Sequence, residues 1–452
     1  MTSSFRLPSF ASVLGVVALS ALAACSASSS DSNGPGSGPG TNTNENGEVP
    51  MAQSNIPRST APAVAPSDAK TLTSDNTAFA ADLYKTLRAS SAFKNENMFF
   101  SPHSISVALA MTYAGARGTT ETEMASAIHF SLPHERLHPA FNELDLALSS
   151  RGVGAKAADG NAFRLRVTNS LWGLPKMPFE QPFLDTLAES YGAGIRLTPF
   201  NSDPEGARQT INKWVDGQTE QRIPELLPAQ SVTELTRLVL VNAVYFNAAW
   251  KSPFEPAITK TGTFHGVGGD VDASFMASFE SNRYARGDDF AAIALPYDGN
   301  ELEMIAIVPD SGKLDAVEAR LDGKMLESVA ASLESTEVQL KLPKFEIKGN
   351  SFSLRDTLSA LGMKTAFVAG EADLTGMLPK SVDSLFIADV IHDAFVKVDE
   401  KGTEAAAATA VLVAGRGAPS DPIQLTIDRP FVFGIRDVKT GAFVFLGRVL
   451  KP

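Results

Sequence analysis

Residues His134-Glu135-Arg136-Leu137-His138 match the H-E-x-x-H pattern. On a helix, that spacing puts two imidazoles on one face, where they can hold zinc while the glutamate serves as general base of a metalloprotease. Pro139 follows directly and biases His138 away from the α region, so the helix is expected to end at its second ligand. No H-x-x-G-x-x-H continuation follows. The stretch reads as a short, solvated helix start, and a zinc metalloprotease using His134, Glu135 and His138 is the third of three functional readings.

Other catalytic patterns are missing. The chain has no G-x-S-x-G elbow, no glycine-rich phosphate loop and no C-x-x-C pair. Asp288-Asp289 sits in a turn-like G-D-D-F and reads as solvated. Arg151, Lys156, Arg164 and Arg166 are too sparse for a polyanion site. A different kind of site is suggested by His392, on the inward face of an apolar strand pattern. Ser101, Ser104 and Asn242 are likewise small polar residues in apolar surroundings, and four such groups can satisfy one another in a buried network.

The elements that must position these residues can be read in outline. In SPHSISVALAMTYAGARG, 101–118, Ser101 is a good N-cap, Pro102 suits the first helical position and Gly115 suits the stop. Its apolar run predicts a buried helix. INKWVDGQTEQRIPELL, 211–227, predicts a surface helix ended by Pro224. LVLVNAVYFNAAW, 238–250, predicts a central strand buried on both faces. ADVIHDAFVKVDEKG, 388–402, predicts a strand with Val390, His392, Ala394, Val396 and Val398 on one face. PIQLTIDRPFVFGIRDVKTGAFVFLGRVL, 422–450, predicts strands, the last two joined at Asp437 to Gly441. Helices early and strands late suggest an α+β domain with large, partly antiparallel sheets.

Length and charge bound the rest. With 452 residues, 44% of them hydrophobic, the chain can bury a large core, and its length alone suggests two or three domains. A net charge of -12 argues against a nucleic-acid binder. The one cysteine, Cys25, follows the apolar run FASVLGVVALSAL, 10–22, which is short for a membrane span. Arg6 before the run and small residues after it form a secretory signal pattern. Leu22-Ala23-Ala24-Cys25 resembles the bacterial lipoprotein signal box, which implies cleavage after residue 24, lipid on Cys25 and an exported protein on an outer membrane or cell surface. An ordinary signal peptide with an accidental cysteine is the alternative. Residues 25–70, rich in Ser, Gly, Pro, Asn and Thr, predict a flexible tether, with the folded domain at 71–452.

Six segments in chain order then converge: NMFFSPHSISVALAMTYAGARGTT, INKWVDGQTEQRIPELL, LVLVNAVYFNAAWKSPF, LPKFEIKGNSFSLRDTLSALGM, VKVDEKGTEAAAAT and DRPFVFGIRDVKTGAFVFLGRV. Together they resemble the serpins, the serine protease inhibitors, from about residue 72 to the C-terminus. The resemblance implies a single domain of three sheets and eight or nine helices, so the expectation of several domains gives way. It also implies an inhibitor with no turnover of its own. A serine protease cuts an exposed loop, the loop inserts into the central sheet while the acyl-enzyme persists, and the dragged protease cannot finish hydrolysis. Ser101, Ser104, Asn242 and His392 match the family's sheet gate, and Trp250 matches its tryptophan where the loop first enters.

In GTEAAAATAVLVAGRGAPSDP, 402–422, the alanines favour helix and Val-Leu-Val favours strand. An exposed loop that becomes a buried strand reconciles the two. Along a strand Thr403, Ala405, Ala407, Thr409, Val411 and Val413 share one face, and Glu404 falls on the other. Gly402 and the alanines let the hinge bend, and no proline interrupts the segment before Arg416. The family's count of seventeen residues, Glu400 included, places Arg416 before the scissile bond and Gly417 after it. Gly415-Arg416 is similar to the same place in antithrombin and implies a trypsin-like target. Cleavage at Leu412 or a neighbour is the alternative, and Gly417 departs from the serine often found there. The resemblance implies a covalent protease complex; a monomer is expected, and the sparse basic residues argue against a heparin-type cofactor, so no cofactor is expected. The second functional reading keeps the fold but makes the protein a surface binding module or cleavable bait.

Overall fold

The computed structural model describes residues 49–349, 351–379, 381–382, 385–403 and 422–452. The expected signal peptide and Cys25 lie outside the described residues, as do residues 404–421. Nine α-helices occur among the described residues: α1 (Pro66–Ala89), α2 (Pro102–Tyr113), α3 (Gly118–Ile128), α4 (His134–Ser149), α5 (Gln181–Tyr191), α6 (Pro204–Gln218), α7 (Leu314–Arg320), α8 (Gly323–Ser332) and α9 (Arg355–Ala360). The strands are β1 (Met51–Ala52), β2 (Met98–Phe100), β3 (Arg164–Gly173), β4 (Ile195–Leu197), β5 (Leu238–Ala249), β6 (Lys260–Gly266), β7 (Gly269–Gly287), β8 (Phe290–Pro296) and β9 (Leu302–Pro309). They continue with β10 (Glu334–Pro343), β11 (Phe345–Ile347), β12 (Phe352–Ser353), β13 (Asp389–Ala394), β14 (Val396–Asp399), β15 (Gly402–Thr403), β16 (Ile423–Thr426), β17 (Phe431–Asp437) and β18 (Phe443–Val449).

One nine-stranded sheet runs β1-β4-β3-β5-β15-β14-β11, with β13 parallel to the first half of β5 and β12 paired to β13. The other nine strands are hydrogen-bonded into one sheet through the 19-residue β7, which serves two halves. Its first part pairs with β6 and β10, and β16 lies beyond β10. Its end pairs with β8, from which β9, β17, β18 and β2 follow. With those two halves counted separately, the architecture is α+β with three sheets.

β5 is buried along its whole length except Ala249 because both faces of its sheet are covered. Leu238, Leu240, Val244, Phe246 and Ala248 point into the main core. Val239, Val241 and Ala243 pack on the other side with Trp172, Ile211 and Val215, beneath α6. A strand that feeds two cores alternates between them rather than between core and water. α2 is buried at every position, and Ser101 caps it by accepting the Ser104 N–H.

Four expectations need correction. The helix expected at 211–227 spans Pro204–Gln218 instead, capped by the Asp203 carboxylate on the Gly206 N–H. It stops well before Pro224, because Glu220 and Gln221 take positive φ. The strand expected through 388–402 breaks at Phe395. Its inward set, Val390 to Val398, is buried as expected, but Ile391 and Asp393 are buried too, the isoleucine in the cluster under α6. The folded body begins ahead of residue 71: α1 starts at Pro66, and Met51–Ala52 pair with the edge strand β4. Arg58 fixes this leader by bonds to Asn142 (2.9 Å) and Asp145 (2.5 Å), contacts that composition cannot reveal. Finally, α4 does not end at His138. Pro139 stands inside it, near the N-terminus, where a missing N–H costs one intrahelical bond.

Candidate functional site

The opening of the large sheet lies where β5 leaves β13. Pairing of β5 with β13 ends at Val244 and Ala394. Beyond it, β15 has entered between the neighbours: Thr403 pairs with Ala248 on one side and Val398 on the other, and Gly402 pairs with Ala249 and Asp399. Gly402 has no room for a side chain. A Cβ there would meet the Ala248 carbonyl oxygen at 2.1 Å and the Ala249 Cα at 2.7 Å. Thr403 is fully buried, and its Oγ1 lies 2.8 Å from the Tyr297 hydroxyl.

The surroundings hold this hinge from three directions. Trp250 stacks on Tyr297 with ring centroids 4.7 Å apart. Its indole N–H donates to the Asp399 carbonyl (2.9 Å), and its backbone N–H donates to the Lys401 carbonyl (2.8 Å). Glu400, just before the hinge, accepts from Lys344 Nζ (2.8 Å) and from Thr259 Oγ1 (2.9 Å). Burial alone would raise the Glu400 carboxyl, but Lys344 and the hydrogen bonds outweigh it and hold the group below its ordinary value. Burial pushes the Asp399 carboxyl up, against the Lys401 N–H that it accepts.

Deeper along the slot, Ser101, Ser104, Asn242 and His392 come together, all four fully buried. His392 Nε2 accepts the Ser101 backbone N–H (3.2 Å), so the proton of this neutral ring sits on Nδ1 and is donated to Asn242 Oδ1. Burial pushes His392 down to about 3, which keeps it neutral. The Asn242 amide donates to Ser104 Oγ (2.5 Å) and to Asn169 Oδ1 (2.5 Å), and Ser104 Oγ also donates to Asn169 Oδ1 (3.0 Å). Ser101 Oγ donates to the Val444 carbonyl (2.8 Å). The network ties α2 to β13, β5, β3 and β18.

Asn169, Tyr297 and Lys344 are functional neighbours that the sequence did not single out. Asn169 carried a signal, a lone amide in a strand-forming stretch, and it pairs in register with Asn242. Tyr297 lies just past a strand and carried none. Ala405, Ala407, Thr409, Arg416 and Gly417 lie outside the described residues.

His134 and His138 belong elsewhere. They bond to each other, Nδ1 to Nε2, at 3.1 Å, and Glu135 is exposed. Among the described residues, no group of three or more His, Cys, Asp or Glu is placed to hold a metal ion. Among the described residues, the slot's polar side chains are paired with one another and with backbone groups of neighbouring strands.

Residues 74–452 match the sequence profile of the family described as Serpin (serine protease inhibitor). The chain is 38% identical over 377 residues to an uncharacterized serpin-like protein of Thermococcus kodakarensis, covering 83% of this chain and 84% of that one. It is 36% identical to human leukocyte elastase inhibitor (84% and 99% covered) and 34% identical to human antithrombin-III (84% and 82% covered). Among solved structures it is similar to the thermophilic serpin tengpin in the native state, with TM-score 0.75, 27% identity and coverage of 88% and 97%. Human thyroxine-binding globulin complexed with thyroxine gives TM-score 0.75 at 27% identity, covering 85% and 99%.

Proposed function

Since the chain belongs to the serpin family, we propose that it is a suicide-substrate inhibitor of trypsin-like serine proteases, cut after Arg416. The observation that carries this reading is the hinge: Gly402 and Thr403 are already strand between β5 and β14. Residues up to 415 extend that strand once the loop is severed. The existing register sets where each goes. Six residues beyond Thr403, Thr409 comes level with His392, six before Val398, and with Asn242, six before Ala248. Insertion therefore has to part the His392–Asn242 bond, which makes that buried network the gate. Small side chains on both faces of 405–409 suit a slot lined by buried residues on both sides.

Arginine before the scissile bond suits a protease pocket with an acidic floor. Export and lipid at Cys25 place the inhibitor on a bacterial membrane or cell surface, where proteases from outside meet it. The test is to mix the purified protein with trypsin and look for a covalent complex in denaturing electrophoresis. Only cleaved inhibitor and free protease, with no complex, would reject inhibition.

A further inference from the structure

The H-E-x-x-H stretch has an arrangement that inhibition does not use. Four side chains from three helices form one hydrogen-bonded row: Glu121 on α3, His134 and His138 on α4, and Tyr191 at the end of α5. His134 Nε2 lies 2.9 Å from Glu121 Oε1, His134 Nδ1 lies 3.1 Å from His138 Nε2, and His138 Nδ1 lies 2.7 Å from the Tyr191 hydroxyl. Tyr113 of α2 stacks on His134, centroids 4.3 Å apart.

With neutral rings, only one set of proton positions satisfies every bond. Glu121 accepts only, so His134 carries its proton on Nε2 and its Nδ1 accepts. His138 then donates from Nε2, and its Nδ1 accepts the Tyr191 hydroxyl proton. All donors point the same way, from the half-buried tyrosine to the partly exposed carboxylate. The charges facing the row are few. Glu121 and Arg117 act on Tyr113 from the α3 side. From α1, Asp68 is bonded to Arg136, and beside α5 the Arg58–Asp145 pair closes on itself.

We propose that this row is a proton-operated latch: a proton taken up at His134 Nδ1 reverses the hydrogen bonds of His138 and unseats Tyr191, loosening the end of α5 and the edge strand β4. The proton occupies the lone pair that received the His138 N–H. His138, deep in the body, stays neutral by moving its own proton from Nε2 to Nδ1. Two donors then meet at Tyr191, whose hydroxyl turns to accept and loses the ring nitrogen that received its own hydrogen. Gly192 caps α5 in a left-handed turn against Arg58, and a Cβ on Gly194 would meet the Ala52 carbonyl at 2.6 Å. Tyr191 therefore sits beside the point where β1, β4 and α5 are fastened together. The latch rests on this geometry and does not depend on the protein being an inhibitor.

The test uses the full chain. Hydrogen exchange, corrected for intrinsic rates, is compared at about pH 7.5 and about pH 5.5, a range over which imidazoles ordinarily gain protons. Protection across residues 187–197 is expected to fall about tenfold on acidification, the scale of one lost hydrogen bond. His134→Gln, which cannot take the proton, should abolish that fall; a fall that persists would overturn the proposal. Glu121→Gln alters only the partly exposed end and keeps the test open should the first variant fail to fold. Loss of that anion should move the transition to lower pH, and an unmoved midpoint would equally overturn it. Imidazole nitrogen NMR at neutral pH should place the His138 proton on Nε2, and a proton on Nδ1 would contradict the row.

Discussion

Thr403 and Tyr297 share a hydrogen bond of 2.8 Å inside the large sheet, with the threonine fully buried. An arginine at 403 cannot be placed there without burying an unpaired charge, which costs far more than the ~2–7 kcal/mol of an unpaired neutral polar group. Under the proposed function, Thr403→Arg should convert an inhibitor into a substrate: trypsin cleaves it, and the covalent complex is lost from denaturing gels. A complex that persists in that variant would contradict the insertion geometry. Tyr297→Phe removes one hydrogen bond and should lower native stability by about 1 kcal/mol, read by denaturant unfolding.

Arg416→Glu should reduce the rate of trypsin inhibition at least about a hundredfold while leaving circular dichroism unchanged, because the protease pocket then meets the wrong charge. In the unaltered protein, a single cut after Arg416 should raise the melting temperature by tens of degrees as residues 403–415 complete the sheet. Equal melting temperatures before and after the cut would remove the energy source of the mechanism.

His392 gives a pH dependence whose sign is fixed. Its folded value, about 3, lies far below the ordinary 6.5 of the unfolded chain. Below about 6.5 the unfolded state binds a proton that the folded state refuses. The contribution of His392 to stability is complete above that pH and declines by about 1.4 kcal/mol per pH unit until about pH 3. The difference in unfolding free energy between wild type and His392→Gln should therefore shrink on acidification from pH 6.5. A constant difference would mean that the ring is protonated in the native gate. His138 and His103, pushed down by burial to about 3 and about 4, add to the acid sensitivity of the whole protein.

Cys25→Ser should release the protein from the membrane fraction into the soluble one in a bacterial host, as tested by fractionation and by metabolic labelling with fatty acid. Unchanged membrane association would reject the lipid anchor.

Much of this was legible where local chemistry and tertiary burial agree. Ser101-Pro102 announces α2 because a cap and a fixed φ act within the first turn. Leu238–Ala249 announces a doubly covered strand because its apolar run does not alternate. Ser101, Ser104, Asn242 and His392 stood out as polar groups in apolar company. What stayed hidden depends on partners distant in the chain. Residues 49–65 look like linker until β4 offers an unpaired edge and Asn142 and Asp145 offer Arg58 its bonds. Pro139 suggested a helix end, but so early in the helix it loses a single bond, which packing of Leu137, Phe141 and Leu144 against the core overrides. Tyr297 gained its role from a threonine more than a hundred residues away.

The two residues of β15 also bear on timing. Ordering the first residues of a strand costs conformational entropy before a ladder exists to offset it. Here a nucleus is in place at rest, so a severed loop elongates an existing ladder rather than searching for a place to begin. Under the proposed insertion, initiation drops out as the slow step, and the first obstacle becomes the imidazole–amide bond six residues ahead. Trapping speed should thus be governed at β13 and β5, where no protease touches the molecule.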